Sequence, residues 1–126
     1  MLDTNIIIRA VLQPGTLFGN IAEIVRTGPH VLSVLSYWEL VVKSAKGKLG
    51  LFDAPAVWWS AVLTDLAAVE LPFTSAHVAA LAELPPIHRD PFDRALIAQA
   101  IAEDLTLVTA DGTIAQYAGP RLRVIA

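Results

Sequence analysis

The chain has 126 residues, no cysteine, a net charge of −3 and a pI near 5.5. That length suits one domain with a core of its own, expected to span residues 1–126; the missing cysteines exclude disulfides and thiolate zinc sites, and the acidic balance gives no broad nucleic-acid footprint. Apolar residues make up 55% of the chain and mean hydropathy is +0.56, yet no apolar run reaches the roughly 18 residues of a membrane span, so the excess is expected to cover a partner surface such as a subunit interface.

Met1 to Asp3 predicts a very short strand, and MLDTN lacks the basic region of a signal peptide, so none is expected. Ile6 to Leu12 predicts a helix broken by Gln13-Pro14-Gly15. Leu17 to Thr27 has helical apolar spacing and stops at Gly28-Pro29. Val31 to Leu35 predicts a buried strand and Ser36 to about Ala45 a helix. KGKLGLFD, residues 46–53, predicts a loop, with Asp53 capping a helix from Pro55 to about Ala67. Val69 to Leu71 is the next strand, Ser75 to Leu84 a helix, and Pro91 to Glu103 another. Leu105 to Thr109, a helical turn at Thr113 to Tyr117 and a strand at Leu122 to Ile125 complete the series. Short apolar strands alternating with amphipathic helices argue for a parallel sheet covered on both faces.

Four acids occupy one kind of position on this map. Asp3 and Asp111 lie at or just past strand ends, while Glu39 and Asp93 lie in the first turns of helices. In an open parallel sheet, strand C-termini and helix N-termini share the edge where ligands bind, so the four are expected to converge. Singly, each reads as a cap or surface charge. Ser36 to Glu39 has capping-box spacing, and Asp90 fits an N-cap ahead of Pro91. Asp93, however, shares a helix face with Leu96, Ile97 and Ala100, and a carboxylate beside a buried stripe needs a partner. The expectation is that Asp90 caps and Asp93 has a chemical role. Two carboxylates ~5 Å apart repel by roughly 3 kcal/mol at an effective dielectric near 20. A cluster persists only if protonated or neutralised, and all-oxygen ligands favour magnesium or manganese.

The segments LDTN, SYWELVVKSAKGKLGL, HRDPFDRALIAQA and LTLVTAD, in this order, resemble the PIN-domain family, specifically the VapC-type toxin ribonucleases of toxin–antitoxin pairs. The resemblance covers essentially the whole chain, with a first strand shorter than the family's. It implies a three-layer α/β/α sandwich with a five-stranded, mainly parallel sheet. It also implies a magnesium- or manganese-dependent endoribonuclease with catalytic and metal-binding acids at Asp3, Glu39, Asp93 and Asp111, supported by Asn5 and Thr109. An RNA substrate, a VapB-like antitoxin, a homodimer and a cytoplasmic, membrane-free location follow from it. A catalytically inactive PIN binding module and a PIN nuclease of RNA maturation are the alternatives.

Other residues carry weaker signals. Lys43 follows Glu39 by one turn and predicts an ion pair. Lys46, Lys48, Arg89 and Arg94 are candidate RNA contacts. His77 and His88 are expected to be ordinary surface histidines. Of the adjacent Trp58 and Trp59, about 100° apart on a helix, Trp59 is expected in the core and Trp58 on a partner surface.

Overall fold

The computed structural model describes residues 1–51 and 53–126; the expected loop 46–53 therefore includes one residue, Phe52, outside the described set. Helix α1 (Thr4–Leu12) starts at Asp3, whose carboxylate accepts from the Ile6 N–H at 2.8 Å. After a short 3-10 turn come α2 (Gly19–Thr27), β1 (His30–Ser33) and α3 (Val34–Ala45). Helices α4 (Pro55–Asp65), α5 (Ser75–Ala82) and α6 (Pro91–Ala102) enclose β2 (Ala68–Leu71) in the chain order α4, β2, α5, α6. Strand β3 (Leu107–Val108), helix α7 (Gly112–Ala115) and strand β4 (Val124–Ile125) follow.

Both strand pairs among the described residues are parallel, β1 with β2 and β3 with β4. Residues 1–3 run between the pairs. The Leu2 N–H donates to the Val31 carbonyl at 3.2 Å, and the Val108 N–H donates to the Met1 carbonyl at 2.8 Å. Leu2 itself forms only an isolated bridge to Val108. The five-stranded sheet implied by the resemblance is therefore not reproduced among the described residues, which form two short two-stranded parallel sheets and an isolated bridge from Leu2 to Val108. Regular pairing is curtailed because β3 and β4 span two residues each before the chain turns into loops.

Side-chain alternation divides the core in two. Met1, Val31, Leu107 and Val124 face a cluster with Leu96, Ile97 and Ile114. Leu2, Leu32, Val108 and Ile125 face another with Ile6, Ile7, Leu40, Trp59 and Val62. Period-two alternation therefore puts helices on both faces of the strands, a three-layer α/β/α arrangement.

Three expectations need correction. Ser33, not Ser36, caps α3 by accepting from the Leu35 N–H at 3.0 Å, so Glu39 sits beyond the first turn rather than in a capping box. Asp53 does not cap α4; its N-cap is Ala54, without a side-chain bond. Trp58 is 6% exposed and belongs to the same core cluster as Trp59. Leu49 and Leu51 of the preceding loop pack against that cluster, which widens the covered arc of α4 beyond one indole. The exposed tryptophan is Trp38, at 58%. Its ring meets Phe92 edge-on, centroids 4.9 Å apart, over an apolar cavity lined also by Leu35, Phe73 and Leu81.

Candidate functional site

The edge where α1, α3, α6 and α7 begin collects all four acids. Asp3 is buried as the cap of α1. Its second carboxylate oxygen accepts from the Thr109 hydroxyl, and the same hydroxyl oxygen accepts from the Asp111 N–H at 2.9 Å. Thr109 thus ties the end of β3 to the first acid and sets the backbone of the fourth. The Thr4 and Ser36 hydroxyls, 3.0 Å apart, join the starts of α1 and α3. Ser36 and Glu39 are three residues apart on one face of α3, which aims Glu39 toward the same edge.

Glu39 is held asymmetrically. Its Oε2 pairs with Lys43 at 3.1 Å, the helix ion pair expected from spacing. Its Oε1 is buried and, among the described residues, has no hydrogen-bond partner. A buried carboxylate oxygen without a donor is costly, and a cation is the partner that its chemistry accepts.

Asp90 and Asp93 divide as expected in position. Asp90 Oδ1 accepts from the Phe92 and Asp93 N–H groups at 2.8 and 3.2 Å, an N-cap for α6. Asp93 instead turns inward. Burial pushes its carboxyl up to about 7, with the charges of Asp90, Glu39 and Asp3 adding and His88 opposing. Burial also raises Asp3, against the bonds from Thr109 and Ile6, with Asp111 and Glu39 adding further repulsion. Asp111 goes the other way. Its partial desolvation is outweighed by the Thr113 N–H and by His88, which hold it below the usual carboxylate range. The acids therefore act on one another's charge, as a converged cluster must.

The expectation that His88 is an ordinary surface histidine needs correction. Its Nε2 lies 3.1 Å from Asp93 Oδ2 and 3.2 Å from Asp111 Oδ2. The Asp90 N–H donates to its Nδ1 at 3.0 Å. Nδ1 is thereby an acceptor, so Nε2 carries the proton and donates to Asp111, with Asp93 Oδ2 close beside it. His88, Asp93 and Asp111 offer ligand atoms within 4.8 Å of one another. In this tautomer, though, the imidazole stands in the place of a cation rather than as a ligand for one. Tyr117 fixes the loop: its hydroxyl accepts from the Ile87 and His88 N–H groups at 3.2 and 2.7 Å and donates to the Pro85 carbonyl at 2.9 Å. His77 is also buried; its Nδ1 accepts from the Thr74 N–H at 3.0 Å and its Nε2 meets Glu103 at 2.7 Å, a staple between α5 and the end of α6.

The remaining predicted residues separate clearly. Asn5 is exposed and bonds to none of the acids among the described residues. Lys46, Lys48 and Arg89 are exposed. Arg94 is occupied: its Nη1 donates to the Pro85 carbonyl at 2.9 Å and to the Tyr117 hydroxyl at 3.3 Å.

The donor set passes a chemical test for a hard divalent cation. It has four carboxylates, an orphaned buried oxygen on Glu39, and two acids, Asp3 and Asp93, whose carboxyls are raised by burial and by neighbouring acids.

Comparisons with known proteins agree with this architecture. A family model described as the PIN domain matches residues 1–120. The crystal structure of VapBC2 from Rickettsia felis, bound to a DNA fragment from their promoter, is similar with a TM-score of 0.73 and 20% identity, covering 99% of this chain and 96% of that one. At that identity the likeness bears on the fold. No curated protein matches the chain. No helix among the described residues is long and apolar enough to cross a membrane.

Proposed function

Because the chain belongs to the PIN-domain family, we propose that it is a magnesium- or manganese-dependent endoribonuclease, the VapC-type toxin of a toxin–antitoxin pair. The observation that carries this reading is the buried Glu39 Oε1 without a donor among the described residues, on a residue whose charge helps to raise Asp93 to about 7. Such a cluster binds either protons or a cation. The likeness to a VapBC complex supports an antitoxin of the VapB kind as partner. A cytoplasmic location and a homodimer belong to the same reading.

Asp3, Glu39, Asp93 and Asp111 would hold the ion. When bound, it neutralises the acids, polarises a phosphodiester and activates water for hydrolysis. The chain's own residues do the rest. Thr109 fixes the orientation of Asp3 and the backbone of Asp111. Asp90 caps α6 and so sets the direction of Asp93. Asp93 would be held as the carboxylate by a bound ion, and His88 Nε2, now between Asp93 and Asp111, occupies space that the ion would need.

The test is cleavage of total RNA by the purified chain. Millimolar magnesium or manganese should support cleavage, a chelator should stop it, and DNA of matched sequence should be spared. Failure to cut RNA with either ion, or cutting that a chelator leaves untouched, overturns the reading in favour of an inactive binding module or unrelated chemistry.

A further inference from the structure

An acidic site that acts on RNA must overcome repulsion of its own substrate, so the placement of each nearby cation matters. The chain has nine Lys and Arg residues against twelve Asp and Glu. Arg26, Lys43, Arg121 and Arg123 each pair with a carboxylate. Arg94 is occupied by carbonyls and Tyr117, while Lys46, Lys48 and Arg89 are exposed. Arg9 is distinguished by lining a cavity together with one of the acids, Asp111.

Arg9 lies on α1, one turn beyond Asn5 and one turn before Gln13. Its Nε donates to Thr16 Oγ1 at 3.0 Å, and its Nη2 donates to the Thr16 carbonyl. Thr16 is itself anchored, its hydroxyl donating to the Gln13 carbonyl at 2.7 Å. Both acceptors are neutral, so the guanidinium is positioned without losing its charge. Arginine has about five N–H donors, so roughly three remain after Thr16 takes its two.

Arg9 also shares a cavity of about 450 Å³ with Asn5, Ile8, Gln13, Ala110 and Asp111. The volume falls in the range of ligand pockets. Although Arg9 and Asp111 line one cavity, no ion pair joins them among the described residues. A mobile guanidinium would be drawn onto the carboxylate cluster; Thr16 holds this one at a distance. The result is a fixed cation at the rim of an acidic site, with two amide side chains beside it.

We propose that this cavity is a subsite for the RNA backbone, in which Arg9 binds a phosphodiester next to the scissile one and Asn5 and Gln13 meet its ribose-phosphate oxygens. The assignment rests on the reading of the acid cluster as an RNA-cleaving centre. It also gives Asn5, which touches no acid, a contact with substrate instead.

Binding without cleavage tests it. The Asp93→Asn protein and its Arg9→Gln and Arg9→Lys derivatives would be titrated against a fluorescent single-stranded RNA at several salt concentrations. Arg9→Gln should bind about tenfold more weakly, and the slope of log affinity against log salt should shrink by ~0.7, one phosphate contact on a single strand. Arg9→Lys should keep the slope and lose part of the affinity, because charge stays while the planar fork is lost. Unchanged affinity and slope in Arg9→Gln overturn the subsite alone. Weaker binding with an unchanged slope also overturns it, since a loss through folding would look like that. An Asp93→Asn parent that binds no RNA at all overturns both the subsite and the nuclease reading.

Discussion

The backbone N–H of Asp90 donates to His88 Nδ1 at 3.0 Å, and this one bond decides which ring nitrogen faces the acids. With Nδ1 engaged as acceptor, the Nε2–H is delivered between Asp93 and Asp111. His88 thereby places an N–H donor between the two acids. His88→Ala should leave Asp111 without its side-chain donor in chelator, costing about 0.5–1.5 kcal/mol of stability. Magnesium should restore more melting temperature in the variant than in the parent, because no imidazole competes for the place. A smaller gain with magnesium in His88→Ala would make His88 a ligand and contradict this tautomer.

The raised Asp93 carboxyl makes a prediction about pH. A carboxyl whose folded pKa lies above its unfolded value near 3.8 takes up protons on folding. Its stabilising contribution is therefore whole below about pH 4 and is lost as pH rises through about 7. Asp3 is shifted in the same direction, and Asp111, held low, in the opposite one. In chelator, the parent should thus lose stability between pH 4 and 7 relative to Asp93→Asn, which cannot ionise there. Magnesium near 100 times its dissociation constant should add about 2.7 kcal/mol at neutral pH. Unfolding curves by denaturant at each pH would show it; parallel pH dependence of parent and variant would refute the Asp93 shift.

Much of this architecture was legible in the sequence. Helix α6 announced itself through Asp90, Pro91 and the apolar stripe at Leu96, Ile97 and Ala100, and Asp90 is its cap. The Glu39–Lys43 pair followed from spacing alone. The role of His88 was hidden, because it depends on Asp111, 23 residues on, and on Tyr117, 29 residues on. No periodicity reports such contacts. Trp58 misled for a related reason: helical angle says where a side chain points, not what the fold packs against it, and both indoles join one core cluster. Arg9 gave no signal either, since its meaning comes from the neutral acceptors on Thr16 that hold it off the acids.

The exposed Trp38 relocates the expected partner surface. It borders the apolar cavity with Phe92 and Phe73, a shape suited to an aromatic anchor in a subunit contact. If the chain dimerises through this face, Trp38→Ala should weaken self-association by more than about 1 kcal/mol. Trp58→Ala should instead destabilise the fold by about 3–5 kcal/mol, as a core truncation does. Sedimentation equilibrium and thermal unfolding separate the two. A Trp38→Ala dimer as tight as the parent's would remove this face from the interface.

The division of labour between Asp90 and Asp93 tests the account most directly. RNA cleavage would be measured for purified Asp90→Asn and Asp93→Asn at saturating magnesium, with folding checked by thermal unfolding. Asn caps a helix as well as Asp does, so Asp90→Asn should keep cleavage within a few-fold of the parent. In chelator it should also bring the Asp93 titration to lower pH, because the Asp90 charge helps to hold the Asp93 carboxyl up. Asp93→Asn should remain folded and lose metal-dependent cleavage by at least ~100-fold. Parent-like cleavage by folded Asp93→Asn, or equal losses in both variants, would contradict an acid cluster built around Asp93.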